Sequence, residues 1–197
     1  MNLFRQYLII GGMPQAIDVF IRSGDFLKTD EQKRAILGLY RNNIRQYADR
    51  QENNVTQIFD ELPGQLQEHD KTFRLSSLKE ESRMRDYADA FFWLSYAKII
   101  NCCFTTTAPN IGLRLNENRS SVKCYMADTG LLISHAFSER AIENDSLYKK
   151  LMFNTLSFNS GMLMENMVSQ MLRAAGHQLF SIPKRLAKPT TAWQLTF

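Results

Sequence analysis

Through the first half of this chain the apolar residues recur every three or four positions, and at Ile99 that rhythm gives way to a β-branched and aromatic run ending at Thr107. A helix buries one stripe and a strand one face, so a chain patterned this way has to lay helices against a small sheet. The clearest helical stretch carries Ile36, Leu37, Tyr40, Ile44 and Tyr47 at intervals of three and four, with Asp30 able to cap it and Lys33, Arg34, Arg41 and Arg45 expected toward water. It should run to about residue 48.

Before it, "LFRQYLII" and "GGMPQAIDVFIRSG" read as two short helices broken at Gly11 and Gly12, with Pro14 early in the second and Gly24 as its stop. After it, "VTQIFDELPGQLQ" gives a helix with Ile58, Phe59 and Leu62 on one side, expected to be interrupted at Pro63. Ser77 or Ser82 can start a further helix whose face carries Met84, Tyr87, Ala88, Phe91 and Leu94. The strand Ile99 to Thr107, a turn from Pro109 to Gly112 and the partner strand "SVKCYMAD" follow. Helices ending in a two-stranded ribbon are the order expected of a winged-helix module, and equally of an ordinary α+β core. "TGLLISHAF", "SLYKKLMFNTL" and "GMLMENMVSQML" read as helices, and Gln178 to Ile182 as a last strand.

With 197 residues and 44% hydrophobic content the chain can bury a sizeable core. No apolar run approaches the ~20 residues of a membrane span and no signal peptide is legible, so a cytoplasmic location is expected. Cys102, Cys103 and Cys124 are an odd count without a C-x-x-C spacing and support neither a disulfide framework nor a zinc site. Three of the four net positive charges come from Lys184, Arg185 and Lys188 in residues 181–197, which hold no acid, so the basic balance is weak support for a nucleic-acid partner.

No G-x-x-x-x-G-K-[ST] is present, so the chain lacks the amide cradle and lysine that hold nucleotide phosphates. His69, His135 and His177 are scattered, with no G-x-S-x-G or H-E-x-x-H around them. Asp128 opens an Asp-Thr-Gly tripeptide of the kind that carries aspartic-protease carboxylates, but leaving a strand it is better placed to cap the helix from Thr129. Lys79, Arg83 and Arg85 are candidate phosphate contacts, interleaved with Glu80, Glu81 and Asp86. Glu165 borders the apolar stripe of its helix, with Val168 and Leu172 on the same side.

In order along the chain stand "YLIIGGMPQAI", "LYRNNIRQYAD", "IFDELPGQL", "FRLSSL", "YADAFFWLSYAKII", a proline turn with "GLRL", "KCYMADTGLL" and "GMLMENMVSQML" with "GHQLF", eight short pieces. From Phe4 to Phe180 the chain resembles the C-terminal half of prokaryotic AAA-type ATPases that end in the domain of unknown function DUF4143. The resemblance implies a P-loop ATPase domain before residue 1, a winged-helix-like module, and the start of a restriction-endonuclease-like domain. Gly161 to Asn166 matches the family's G-x-x-x-E-N, making Glu165 the equivalent of that domain's first acid. The hairpin with its Ile-Asp-Phe and Glu-x-Lys motifs is missing, and "AWQLTF" is what a one-base shift of codons for Met-Ala-Ile-Asp-Phe yields, so a frameshifted end is expected from about Ser181.

The fold expected is therefore α+β and mostly helical. Residues 1–26 form a helical segment, 27–150 a winged-helix-like module, 151–180 the first helix and strand of an endonuclease-like domain, and 181–197 an aberrant tail. The chain is expected to be a non-catalytic fragment without cofactors, ATP and Mg²⁺ belonging only to intact relatives. Two alternatives are a winged-helix DNA binder using Lys79, Arg83 and Arg85, and an interaction module that self-associates through Met162, Met164, Met167 and Met171. DNA and a second copy are thus the partners considered, with no membrane.

Overall fold

The computed structural model describes residues 3–68, 72–107, 112–137 and 160–182. The expected helix "SLYKKLMFNTL", the Pro109 end of the turn and the tail beyond residue 182 lie outside them. Within them the protein is α+β and mostly helical, with one mixed sheet.

Helix α1 (Leu3–Ile10) ends at Gly11, whose φ of 83° is a left-handed conformation that costs glycine nothing. Pro14 opens α2 (Pro14–Ser23), where its missing N–H has no helical partner to lose, and Gly24 closes it in the left-handed region. Helix α3 (Phe26–Tyr47) is capped by Asp25, whose carboxylate accepts from the N–H of Leu27 at 2.8 Å. The cap expected at Asp30 is thus corrected: Asp30 lies inside the helix and is buried, and so is Lys33, expected in water but 1% exposed.

Helix α4 (Glu52–Gln67) runs unbroken through Pro63, against expectation. Proline deletes the N–H that would have bonded the carbonyl of Phe59. A side chain from another helix fills the vacancy: His135 Nε2 lies 2.8 Å from that carbonyl, its ring stacked on Phe59 with centroids 4.5 Å apart. Helix α5 (Met84–Tyr96) starts neither at Ser77 nor at Ser82; its first turn is closed by Asp86, which accepts from the Arg83 N–H at 3.3 Å. Its buried stripe is Tyr87, Ala90, Phe91 and Leu94, which leaves Ala88 outside.

Strand β1 (Ile100–Thr106) pairs antiparallel with β2 (Glu117–Met126), and a bulge between Phe104 and Thr105 shifts the register. Helix α6 (Thr129–Ala136) follows, buried from Thr129 to Ser134, then α7 (Ser160–Ala174) and β3 (Leu179–Ser181), which pairs parallel to β1. The strand order is β2-β1-β3, and a parallel return of this kind needs an intervening crossover, here containing α6 and α7.

Successive strand residues face opposite sides. On one face Cys102 and Phe104 look toward α5; on the other Asn101 bonds Ser169 of α7 and Tyr125 bonds Glu165 of α7. The sheet is therefore sandwiched between α5 and α7. The core joins Ile36, Leu37 and Ile44 of α3, Ile58, Phe59 and Leu62 of α4, Phe91 and Leu94 of α5, and Leu131, Leu132 and Ile133 of α6.

Candidate functional site: a polar latch and an open groove

Two places concentrate chemistry. The first is where the turn after α1 meets the start of α6. Asp128 caps α6 as expected, its Oδ1 accepting from the Leu131 N–H at 2.8 Å, and its Oδ2 also accepts from the N–H of Gly12 at 2.5 Å. The approach is tight: a Cβ on Gly130 would collide with the carbonyl of Ile10, and one on Gly11 with the Asp128 carboxylate. On α7, Gln170 accepts from the Thr129 N–H at 3.2 Å and donates to the Tyr7 hydroxyl at 3.0 Å.

Beneath this turn lies a buried ionic set on α3. Lys33 Nζ donates to the carbonyl of Ile9 at 2.9 Å, in the last turn of α1, where a cation also offsets the negative end of the helix. It stands 3.7 Å from Asp30, whose Oδ1 accepts from Ser134 at 2.5 Å and whose Oδ2 accepts from Arg34 at 2.6 Å. Arg34 reaches on to the Phe137 carbonyl past the end of α6, 3.1 Å away. Burial pulls the Lys33 ammonium down to about 8, against the attraction of Asp30 and Asp128. Burial likewise pushes the Asp128 carboxyl up, opposed by the N–H groups of Gly12 and Leu131. The bond from Leu131 caps α6 and the bond from Gly12 ties the turn after α1 to it, leaving the Asp-Thr-Gly tripeptide with a structural task.

The second place is a groove of about 520 Å³ between α5 and the β1–β2 hairpin. Its floor and walls are Met84, Ala88, Phe91, Phe92, Cys102 and Phe104, with Arg85, Glu117 and Arg119 on the rim. Phe92 is 71% exposed and Tyr96 79% exposed, and their rings stack with centroids 6.0 Å apart. These two residues were not singled out in the sequence. The signal was available: Phe91 and Phe92 are adjacent, so both cannot face the core, and Phe92 pairs with Tyr96 at i+4 on the opposite side.

Of the expected site residues, Lys79, Arg83 and Arg85 are all exposed around the entry to α5. They share that surface with Glu80, Glu81 and Asp86, and Arg85 lies 3.5 Å from Asp86. Glu165 is half-buried and accepts from the Tyr125 hydroxyl at 3.2 Å, far from this cluster in sequence and on the other side of the sheet. Burial, followed by the nearby Glu165 charge, raises the Tyr125 phenol and keeps it a donor. Beside it Asn166 is fully buried and donates to the Met126 carbonyl at 3.0 Å. Among the described residues no three His, Cys, Asp or Glu side chains converge to hold a metal ion. Of the four methionines expected on an exposed face, Met162 is buried, Met167 is half-buried, and Met164 and Met171 are exposed.

The fold and these two places define an α+β, mostly helical domain whose polar centre is locked and whose apolar groove is open. Its family is shown by a sequence profile: the chain belongs to the family described as a domain of unknown function (DUF8612), which matches residues 1–141. No curated protein and no solved structure matches it.

This match overturns the resemblance to DUF4143-type AAA ATPases, and with it the basis for an ATPase domain before residue 1 and for Glu165 as an endonuclease acid. The motifs that carried the resemblance have local explanations. "GGMP" is a helix stop, a tight approach to Asp128 and a helix start, and "ADTGLL" is a cap, a glycine under Ile10 and a buried helix. The segment from Gly161 to Asn166, which matched the endonuclease pattern, lies outside the matched residues.

Proposed function

We propose that this chain is a non-catalytic protein-interaction module whose groove beside α5 takes an apolar segment of a partner protein. One observation carries the reading: Phe92 is exposed at the mouth of a concave, largely apolar groove, with the exposed ring of Tyr96 stacked on it. Exposed apolar patches of this kind mark interaction sites, and helix-lined grooves accept apolar anchors at regular spacing. Arg85 and Arg119 outnumber Glu117 on the rim, and Glu117 already accepts from Arg119 at 2.9 Å. The segment that fits is apolar with acidic residues beside its anchors. No cofactor is part of this proposal.

A display library of random peptides, selected against the protein and counter-selected against Phe92→Asp, tests it. Enrichment of peptides with aromatic or aliphatic anchors flanked by Asp or Glu is expected. Equal recovery from both proteins would refute the groove as the binding surface.

Self-association is a second reading, favoured by Met164, Met171 and Leu172, which stand exposed along α7. Sedimentation at rising concentration separates it from the first, because substitutions on α7 would abolish a dimer and leave peptide binding intact. The DNA-binding reading has less behind it, since the acids around Lys79, Arg83 and Arg85 repel the phosphates that those bases would attract. A winged-helix-like arrangement of residues 27–150 is likewise proposed from the order α3, α4, α5, β1, β2; the parallel strand β3 is an addition that a two-stranded wing does not have.

A further inference from the structure

Cys102 of β1 lies directly opposite Cys124 of β2 in the sheet register, while Cys103 lies opposite Lys123 and on the other face. Directly opposed residues in an antiparallel pair have Cα atoms about 4.5–5.5 Å apart, inside the roughly 4.4–6.8 Å that a disulfide spans. All three thiols are free. The two facing ones differ in access: Cys102 is half-buried and lines the α5 groove, whereas Cys124 is buried behind it.

We infer that Cys102 and Cys124 form a reversible cross-strand redox pair, a modification site for small peroxides that reach Cys102 through the groove. The Cys102 thiolate attacks one peroxide oxygen, breaking the O–O bond to give Cys102 sulfenic acid and hydroxide, which takes up the proton released by the thiol to become water. The Cys124 sulfur then attacks the sulfenic sulfur; the S–S bond forms, the S–O bond breaks, and the hydroxyl leaves with the Cys124 proton as a second water. Two thiols are oxidised and one peroxide is reduced.

The neighbours support this order of events. The Cys124 thiol is a hydrogen-bonding neighbour of Cys102, so it is already beside the sulfur it must attack. Burial holds the Cys124 thiol well up, which makes closure slow at neutral pH and faster as pH rises. Cys103 is pushed by burial to about 11 and stays a bystander. The pairing rests on the sheet register and not on the proposed function of the groove, although an occupant of the groove would shield Cys102.

The test is hydrogen peroxide treatment of the folded protein, alkylation of the remaining thiols, and mapping of peptides by mass spectrometry. Cys103→Ser, which retains only the proposed pair, is expected to give one cross-link between the peptides bearing Cys102 and Cys124, reversed by dithiothreitol and formed faster at higher pH. Cys102→Ser is expected to give none. Accumulation of Cys102 sulfinic acid in Cys103→Ser with Cys124 still alkylatable would overturn the proposal, as would a Cys102–Cys103 bond in the wild-type chain. Should Cys103→Ser not fold, fragment sequencing of the wild-type digest distinguishes the same three products.

Discussion

The latch around Asp128 and Lys33 and the groove beside α5 are opposites in the use of burial. At the latch, charged groups have been taken out of water and each carboxylate is bonded to donors from other elements. At the groove, the Phe92 ring is left in water though it has no polar atom that needs it. A buried ion pair is expensive to assemble and more expensive to break, because the surviving charge is left without its partner. An exposed ring costs the monomer little to change. Residues that hold the fold should therefore announce themselves in stability, and residues that serve a partner only in binding.

The largest effect is expected from Asp30→Ala. The substitution removes the carboxylate that Ser134 and Arg34 donate to and that Lys33 faces, all at the junction of α3 and α6. A loss of about 3–5 kcal/mol in urea unfolding is expected. A loss below about 1 kcal/mol would mean that the ionic set is dispensable and that the contrast with the groove is false.

Next comes Gly130→Ala. Its Cβ would press on the Ile10 carbonyl and approach the Gly11 nitrogen to 2.6 Å, both backbone atoms of the α1 turn that cannot rotate away. Overpacking of this kind costs about 1–3 kcal/mol or more, measured by thermal unfolding. The conservative control is Gly38→Ala on α3, where an added Cβ meets nothing; it should be neutral or slightly stabilising.

Much of the fold was legible because local signals were unopposed. The Gly11–Gly12 break, Pro14, the Gly24 stop, the Asp128 cap, the change to strand near Ile99 and the final helix and strand all follow from chemistry within a few residues. The caps of α3 and α5 were misplaced among local alternatives, whereas two other misses share one cause, a partner distant in sequence. Lys33 has the spacing of a solvated lysine, and only the Ile9 carbonyl, 24 positions away, explains its burial. Pro63 has the look of a helix breaker, and only His135 explains why it is not. Of the candidate sites, Lys79, Arg83 and Arg85 are exposed, which any charged surface cluster would be and which does not bear on phosphate binding. The groove was missed because its lining comes from α5, β1 and β2 together, and no single segment shows it.

The Pro63 substitute can be broken and then repaired. His135→Leu should cost about 1–3 kcal/mol, the penalty of leaving the buried Phe59 carbonyl without a donor. Pro63→Ala restores the helical N–H, so in the double variant much of that loss should return; no recovery would show that the stacking on Phe59 was what mattered. The same contact has a pH signature. Burial lowers the His135 imidazole from its ordinary 6.5, with Arg41 acting in the same direction and the Phe59 carbonyl and Asp60 against it. The folded state therefore binds the proton less readily than the unfolded state. Its contribution is complete above pH 6.5 and is lost as pH falls from there through the lower folded value. His135→Leu should flatten that part of the stability curve.

The smallest effect on stability, and the most telling, belongs to Phe92→Asp. Phe92 is exposed on α5, and Tyr96, whose ring stacks on it, is exposed too, so the folded monomer gives up little when the ring is removed. A change within about 0.5 kcal/mol is expected, as for most surface positions. Peptide capture should nevertheless fall to background, because the new carboxylate would sit beside the apolar floor and repel the acidic flanks that Arg85 and Arg119 attract. The charge-reversed rim, Arg85→Glu with Arg119→Glu, sharpens the reading: it gives up two exposed ion pairs, worth at most about 1 kcal/mol each, and should shift the selected peptides from acidic to basic flanks. A domain that loses as much stability at Phe92 as at Gly130 would place the groove in the fold rather than in recognition, and the two regions would then differ only in polarity.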